Sequence, residues 1–210
     1  MGIPTRLGST RFPGKALAAE TGRPLILHVV DRARAARSVE RVIVTAPDPE
    51  IIKIAQDAGV EAIETSFDHP NGTSRLAEVS ARLANELPSN AILVNVQGDE
   101  PELEPDAIDA VILALSDDPE ADMSTIAAPF GPGDDPTDPN QVKVVMGLDG
   151  RAIYFSRSRI PFDRDDAGFT PFRHVGLYAY RRGFLEQFAS WPESPLERAE
   201  RLEQLRVLEH

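Results

Sequence analysis

A basic loop that contains glycine lies near the start of the chain. Residues 3–15 read IPTRLGSTRFPGK, in which Arg6, Arg11 and Lys15 accompany glycine and serine. Backbone N–H groups in such a loop bind phosphate oxygens, and the cations neutralise their charge. The segment is not a Walker A loop, because Lys15 is followed by Ala16. A phosphate-binding loop of another type is therefore predicted, and a plain surface loop is the alternative.

A carboxylate follows an apolar stretch in VNVQGDEP, residues 94–101. Gly98 allows the backbone to approach a ligand closely, and Asp99 offers the kind of oxygen that Mg²⁺ prefers. The pattern leaves two interpretations of Asp99 open, since an aspartate in this position also caps a following helix.

The segment HPNGTSR, residues 69–75, contains a strong turn signal. The backbone of Gly72 and the hydroxyl of Thr73 are suited to contact a base or a ribose, with Arg75 nearby. A helix that starts at this turn, capped by Thr73 or Ser74, is the structural alternative.

Arginines recur in the second half of the chain. Arg157, Arg159 and Arg164 lie within YFSRSRIPFDR, residues 154–164. Guanidinium groups bind carboxylates in a bidentate manner, so this region suits an acid substrate. His174 is a candidate donor to sugar hydroxyls. A solvated arginine face with a core histidine would give the same pattern.

The last candidate segment is LEQLR, residues 202–206, which we expect in a final helix that begins at a capping box at Ser194. The leucines of this segment would face the core. Glu203 and Gln204 would then project toward a polyhydroxylated ligand. An ordinary amphipathic helix is the alternative.

The hydrophobic pattern predicts an α/β fold in which helices wind around a mostly parallel sheet, followed by a small mixed β extension. The predicted helices begin near Pro24, Pro49, Ser74 and Pro105, and they alternate with strands at Arg41–Thr45 and Ala91–Val96. After Asp122, strands are predicted at Met123–Pro129, Val142–Gly147, Ala152–Phe155 and His174–Tyr180.

Composition limits the classes of function. The net charge of −12 disfavours nucleic-acid binding, since DNA and RNA backbones are anionic. No apolar run is long enough to span a bilayer, so we expect no membrane partner. There is no cysteine, which excludes disulfides and thiolate metal sites and fits a cytoplasmic protein.

Seven segments in this order resemble the 3-deoxy-D-manno-octulosonate (Kdo) cytidylyltransferase family. They are IPTRLGSTRFPGK, HPNGTSRLAEV, VNVQGDEP, PNQVKVV, YFSRSRIPFDR, RHVGLYAYR and SPLE…LEQLR. The resemblance covers essentially the whole chain. It implies a three-layer α/β/α nucleotide-diphospho-sugar transferase fold, a Mg²⁺ cofactor, and the reaction of CTP with Kdo to give CMP-Kdo and diphosphate for lipopolysaccharide synthesis.

The resemblance also implies roles for individual residues. Lys15, Asp99 and Arg11 would be catalytic, and Asp99 would ligate the metal. The residues expected to bind CTP are Arg6, Ser9, Arg11, Lys15, Gly72, Thr73, Arg75, Gln97 and Gly98. The residues expected to bind the sugar acid are Gln97, Arg157, Arg164, His174, Tyr178, Glu203 and Gln204.

From the resemblance we further expect a homodimer and one nucleotidyltransferase domain. Residues 1–122 would form its CTP-binding half, and residues 123–210 its sugar-binding and dimerisation half. We expect both ends to be truncated, with a second metal-ligating aspartate beyond His210. Two alternatives stay open, a cytidylyltransferase for another acid sugar such as sialic acid and a non-catalytic nucleotide-binding fragment.

Overall fold

A computed structural model describes residues 1–8 and 12–210. The chain forms two compact units. The first comprises residues 1–124 and 176–189, and the second comprises residues 125–175 and 190–210.

The first unit is built on parallel strands in the order β3-β2-β1-β4. These strands are β1 (Gly2–Pro4), β2 (Ile43–Ala46), β3 (Glu61–Glu64) and β4 (Ile92–Asn95). In register, Pro4 of β1 is opposite Thr45 of β2, and Gly2 is opposite Asn95 of β4. Because the strands are parallel, the segments that follow them meet at one carboxyl edge.

A longer strand, β8 (Phe172–Arg181), closes this sheet in the antiparallel sense. Tyr178 of β8 is opposite Asn95 of β4, and Tyr180 is opposite Leu93. The C-terminal half of β8 therefore borders the strand that leads to Asp99.

Helices flank the sheet on both sides, which confirms the predicted α/β class. They are α1 (Leu25–Ala35), α2 (Pro49–Asp57), α3 (Gly72–Arg82), α4 (Pro105–Asp117) and α5 (Arg182–Ser190). Proline stands at the first turn of α2 and α4, where its missing N–H has no intrahelical partner to lose. Each helix buries an apolar stripe, as Ile26, Val29 and Ala33 do in α1. None of the helices in the described ranges combines the length and apolar character needed to cross a membrane.

The second unit has an antiparallel core. It contains β6 (Lys143–Met146), β7 (Ala152–Ser156), the N-terminal half of β8 and most of β5 (Met123–Pro129), which pairs with β8. Val144 and Phe155 pack with Leu202 and Leu205 in its hydrophobic core.

Two short helices complete this unit, α6 (Pro195–Glu200) and α7 (Leu205–Glu209). The predicted capping box is present, because the Ser194 hydroxyl accepts from Glu197 N and the Glu197 carboxylate accepts from Ser194 N. The expectation of one final helix is wrong, since α6 ends at Glu200 and Arg201 turns the backbone to φ 53°. Glu203 and Gln204 therefore lie between two helices.

Candidate functional site

The loop after β1 is held at the carboxyl edge of the parallel strands. Thr5 N donates to Thr45 O at 2.9 Å, and Gly98 N donates to Pro4 O at 3.3 Å. Leu7 N donates to the Asp48 carboxylate at 2.9 Å. Asp48 occupies the N-cap position of α2, but its side chain binds the first loop and makes no cap hydrogen bond.

Lys15 and Asp99 meet at this edge. Lys15 follows Gly14, whose φ of 75° suits glycine, and begins a short 3-10 turn, Lys15–Leu17. Its Nζ lies 3.0 Å from Asp99 Oδ2, and the two side chains are 40% and 52% exposed. The cation of the first loop and the carboxylate of the fourth strand thus share one solvent-accessible position.

Asp99 does not cap a helix, because α4 begins only at Pro105 with Glu104 as its N-cap residue. Burial and the neighbouring Asp99 raise the pKa of Glu100. Among the described residues, no group of three histidines, cysteines or acids has a metal-binding arrangement. A single carboxylate beside a phosphate-binding loop still fits Mg²⁺, which takes one or two carboxylates and fills its octahedron with phosphate and water.

Two glycines allow close approach around the first loop. A Cβ on Gly98 would lie 2.8 Å from Thr5 Cβ and 3.1 Å from Pro4 O, and a Cβ on Gly72 would lie 2.8 Å from Pro4 Cγ. Such contacts are shorter than packed atoms tolerate, so side chains at these positions would displace the loop.

The HPNGTSR turn leads into α3, which begins at Gly72, earlier than predicted. Asn71 is the N-cap, accepting from Ser74 N at 2.8 Å, so the expectation that Thr73 or Ser74 caps this helix is wrong. Thr73 is buried in the first turn, where Asn95 Nδ2 donates to its hydroxyl at 3.5 Å.

Arg75 is a buried cation at the same edge. Arg75 is only 3% exposed. Its Nη1 donates to Thr65 Oγ1 at 2.5 Å and to Ser66 O at 2.9 Å. Within the described ranges no carboxylate lies at ion-pair distance from it. Burial lowers the pKa of Arg75, the charges of Glu78 and Asp48 raise it, and the nearby charge of the exposed Arg6 lowers it. Two cations near a buried position favour an anionic ligand.

Sequence reasoning missed two polar atoms at this edge. Thr45 Oγ1 and Asn95 Oδ1 are buried without a hydrogen-bond partner in the described part of the chain. The only signal in the sequence for these two atoms was that Thr45 and Asn95 lie near the ends of strands.

The remaining predicted residues of this unit are Gln97, which is half-buried, and Tyr178, whose ring stacks on that of Tyr180 with 6.1 Å between the ring centroids. Ser9 and Arg11 lie outside the described residues.

The second unit holds the other predicted sugar-acid residues. Gln204 is buried, and its Nε2 lies 3.5 Å from His174 Nδ1. Thr125 Oγ1 contacts His174 Nε2 at 2.9 Å, and burial lowers the pKa of His174 to about 4. His174 is thus a neutral, partnered side chain at neutral pH. Glu203, which precedes Gln204 in the sequence, is half-buried.

The arginines of this unit differ in environment. Arg164 is exposed, whereas the Arg157 guanidinium donates to the carbonyls of Pro139, Glu200 and Arg201 at 2.9, 2.6 and 3.2 Å. The structure thus brings His174 and Gln204 together and leaves Arg164 facing solvent.

Comparison with known proteins agrees with this geometry. The family described as cytidylyltransferase matches residues 3–210. A 3-deoxy-manno-octulosonate cytidylyltransferase from Syntrophotalea carbinolica is 46% identical, covering 99% of this chain and 85% of the relative. The enzyme of the same name from Geobacter sulfurreducens is 47% identical, with coverages of 99% and 86%.

A solved structure gives the same result. A CMP:2-keto-3-deoxy-manno-octonic acid synthetase, complexed with CTP, superposes with a TM-score of 0.91 at 39% identity, covering 99% of this chain and 84% of that one. Fold, site and matches together define an α/β nucleotidyltransferase. The chain belongs to the 3-deoxy-manno-octulosonate cytidylyltransferase family, as its seven motifs predicted.

Proposed function

We propose that this chain transfers the cytidylyl group of CTP to Kdo, giving CMP-Kdo and diphosphate. The observation that carries the proposal is the meeting of Lys15 and Asp99 at the carboxyl edge of the parallel strands. A phosphate-neutralising cation and a metal-binding carboxylate are the two groups that nucleotidyl transfer requires at one place. The family relatives carry this activity in their names.

CTP is assigned to the first unit. Arg6, Arg11, Lys15 and Arg75 supply positive charge for the triphosphate, and Ser9 supplies a hydroxyl donor. The segments around Gly72, Thr73, Gln97 and Gly98 are assigned to the nucleoside, as the family resemblance implies. The two glycines let these segments pack closely against Pro4 and Thr5 at the start of the first loop. The buried Arg75, which has no carboxylate at ion-pair distance among the described residues, supports an anionic ligand in this unit.

The sugar acid is assigned to Arg157, Arg164, His174, Glu203 and Gln204 of the second unit and to Gln97 and Tyr178 of the first. Guanidinium groups suit its carboxylate, and amide, imidazole and carboxylate groups suit its hydroxyls. Apart from Gln97, which is assigned to both ligands, these assignments follow the proposed halves of one nucleotidyltransferase domain, residues 1–122 for CTP and 123–210 for the sugar.

The reaction is an in-line displacement at phosphorus. The anomeric hydroxyl oxygen forms a bond to the α-phosphorus of CTP, the bond from that phosphorus to the bridging oxygen breaks, and diphosphate leaves while the hydroxyl proton passes to solvent. No protein nucleophile is needed, since positioning and charge neutralisation supply the catalysis. Lys15 and Arg11 offset the charge that develops on the leaving group.

Asp99 is proposed to hold Mg²⁺, which would supply neutralisation of phosphate charge when bound. Asp99 would exchange its Lys15 partner for the ion, and Lys15 would then turn to the phosphates. Cation and carboxylate are both accessible enough for this exchange. We also propose a homodimer that works in the cytoplasm and supplies lipopolysaccharide synthesis.

A substrate panel tests the proposal. Diphosphate release is measured with Mg²⁺ and either CTP or UTP, each with Kdo or sialic acid. Release with CTP and Kdo at least about tenfold faster than with any other pair is expected, because a site built for one ligand's polar groups rejects ligands that leave them unpaired. Faster release with sialic acid would favour the other acid sugar, and CTP binding without release would favour a nucleotide-binding protein.

A further inference from the structure

Lys143 is a fully buried lysine on β6. It lies within the PNQVKVV motif, none of whose residues is assigned to CTP, the metal or the sugar acid. Its Nζ donates to Asp138 O at 2.9 Å and to Arg157 O. Within the described ranges no carboxylate lies at ion-pair distance from this ammonium. Burial lowers the pKa of Lys143, and the more distant carboxylates of Asp138, Asp135 and Glu200 offset this in part. The hydrogen bonds that hold the ammonium are those to the two backbone carbonyls.

Arg157 is fixed from several directions. Its backbone N donates to the Glu200 carboxylate at 2.9 Å, and the same carboxylate accepts from Ser156 Oγ at 2.6 Å. Its guanidinium contacts carbonyls of two segments that are distant in sequence, Pro139 on one side and Glu200 and Arg201 on the other. The Arg157 carbonyl accepts from Lys143 Nζ. Arg157 is therefore held by its backbone N–H, its backbone carbonyl and its guanidinium donors.

Lys143 and Arg157 therefore connect three segments of the second unit. These are residues 138–139 before β6, the end of β7, and the turn at residues 200–201. That turn leads directly to Glu203 and Gln204. Removing the ammonium would leave two half-buried carbonyls, those of Asp138 and Arg157, without this donor.

We propose that Lys143 is a positioning residue for sugar-acid binding, acting through Arg157 and the turn that precedes Glu203 and Gln204. The proposal rests on the proposed function of this unit. Lys143 does not touch the sugar. It holds the backbone of Arg157, and Arg157 holds the turn.

Steady-state kinetics with Lys143→Met tests this inference. The KM for Kdo is expected to rise about tenfold or more, while the KM for CTP stays within about twofold, because only the segments of the second unit lose their donor. A general loss of structure would raise both constants or lower the amount of active enzyme. Lys53→Met, at an exposed lysine paired with Asp57, is the matched control and should change neither.

Glu200→Gln provides a second variant, which decides the matter where Lys143→Met does not fold. It weakens the acceptor for Arg157 N and should produce the same selective rise in the KM for Kdo. An unchanged KM for Kdo in a folded Lys143→Met, or in Glu200→Gln alone, overturns the positioning role. Absence of turnover in the unmodified chain overturns the proposed function instead.

Discussion

Lys15 and Asp99, 84 residues apart in sequence, form an ion pair of 3.0 Å between Nζ and Oδ2. The contact joins the loop after β1 to the loop after β4 at the edge where parallel strands end. Both side chains are about half-exposed, so the pair contributes less than about 1 kcal/mol to folding. Its importance lies in placing a phosphate-binding cation beside a candidate metal ligand.

Replacing Asp99 by asparagine should abolish most turnover while leaving the fold intact. An amide is a much weaker ligand for Mg²⁺, so kcat is expected to fall by about 100-fold or more. The free energy of unfolding should change by less than about 1 kcal/mol, because the side chain is half-exposed. Steady-state rates and urea unfolding measure both effects, with the exposed Glu102→Gln as control. A near-normal rate would remove Asp99 from the metal site.

Replacing Arg75 by methionine should separate stability from nucleotide binding. Burial of the Arg75 guanidinium costs free energy, and no carboxylate of residues 1–8 and 12–210 lies at ion-pair distance from it, so the melting temperature without ligand should stay equal or rise. The rise in melting temperature on adding CTP should be largely lost. Thermal melts with and without CTP test this, and Arg82→Met, at an exposed position of the same helix, should keep the CTP effect. Full CTP stabilisation in Arg75→Met would contradict the triphosphate assignment.

Alanine at Gly98 should distort the first loop. The added Cβ would lie 2.8 Å from Thr5 Cβ, so we expect a loss of about 1–3 kcal/mol in unfolding free energy and a raised KM for CTP. Gly183 in α5 has no atom within 4 Å of such a Cβ, and Gly183→Ala should instead stabilise the protein by about 0.5–1 kcal/mol. Equal effects of the two substitutions would contradict the close approach.

The stability of the protein should fall as the pH drops from 7.5 to 5. Burial lowers the pKa of His174 from 6.5 to about 4, so in this range the unfolded chain binds a proton that the folded chain does not. Stability is present above the unfolded pKa and is lost as the pH falls toward 4, by about 2 kcal/mol at pH 5.

Urea unfolding at the two pH values measures this loss. His174→Gln should remove about 2 kcal/mol of the fall between pH 7.5 and 5, whereas His28→Gln, near the surface, should retain it. A further fall in this range comes from the Met1 amino group, whose pKa burial lowers to about 6. Acids with lowered pKa values, such as Asp109 at about 2, also lose stability on protonation, but they do so mainly below this pH range. An unchanged slope in His174→Gln would contradict the burial of a neutral imidazole.

Local sequence signals predicted much of the fold. Apolar stripes and prolines located α1, α2 and α4, and the serine-glutamate pair located the start of α6. They failed where tertiary contacts decide. β3 is short and half-exposed and carries two glutamates, so its residues give no strong strand pattern even though it pairs with β2. The left-handed turn at Arg201 was not predicted because no glycine marks it.

The same distinction applies to the site. The first loop and the aspartate after β4 were recognisable because their residue types suit phosphate and magnesium. The use of Asp48 to bind Leu7 N, and of Lys143 to bind two distant carbonyls, depends on contacts across the fold that no local spacing encodes.

The most direct test of the proposed function is ³¹P NMR of the purified chain incubated with CTP, Kdo and Mg²⁺. We predict that the three phosphorus signals of CTP decline together. One phosphodiester signal and a diphosphate signal should appear in a one-to-one molar ratio, and only when Kdo is present. Appearance of inorganic phosphate and CDP, or an unchanged CTP spectrum, would contradict cytidylyl transfer by this chain.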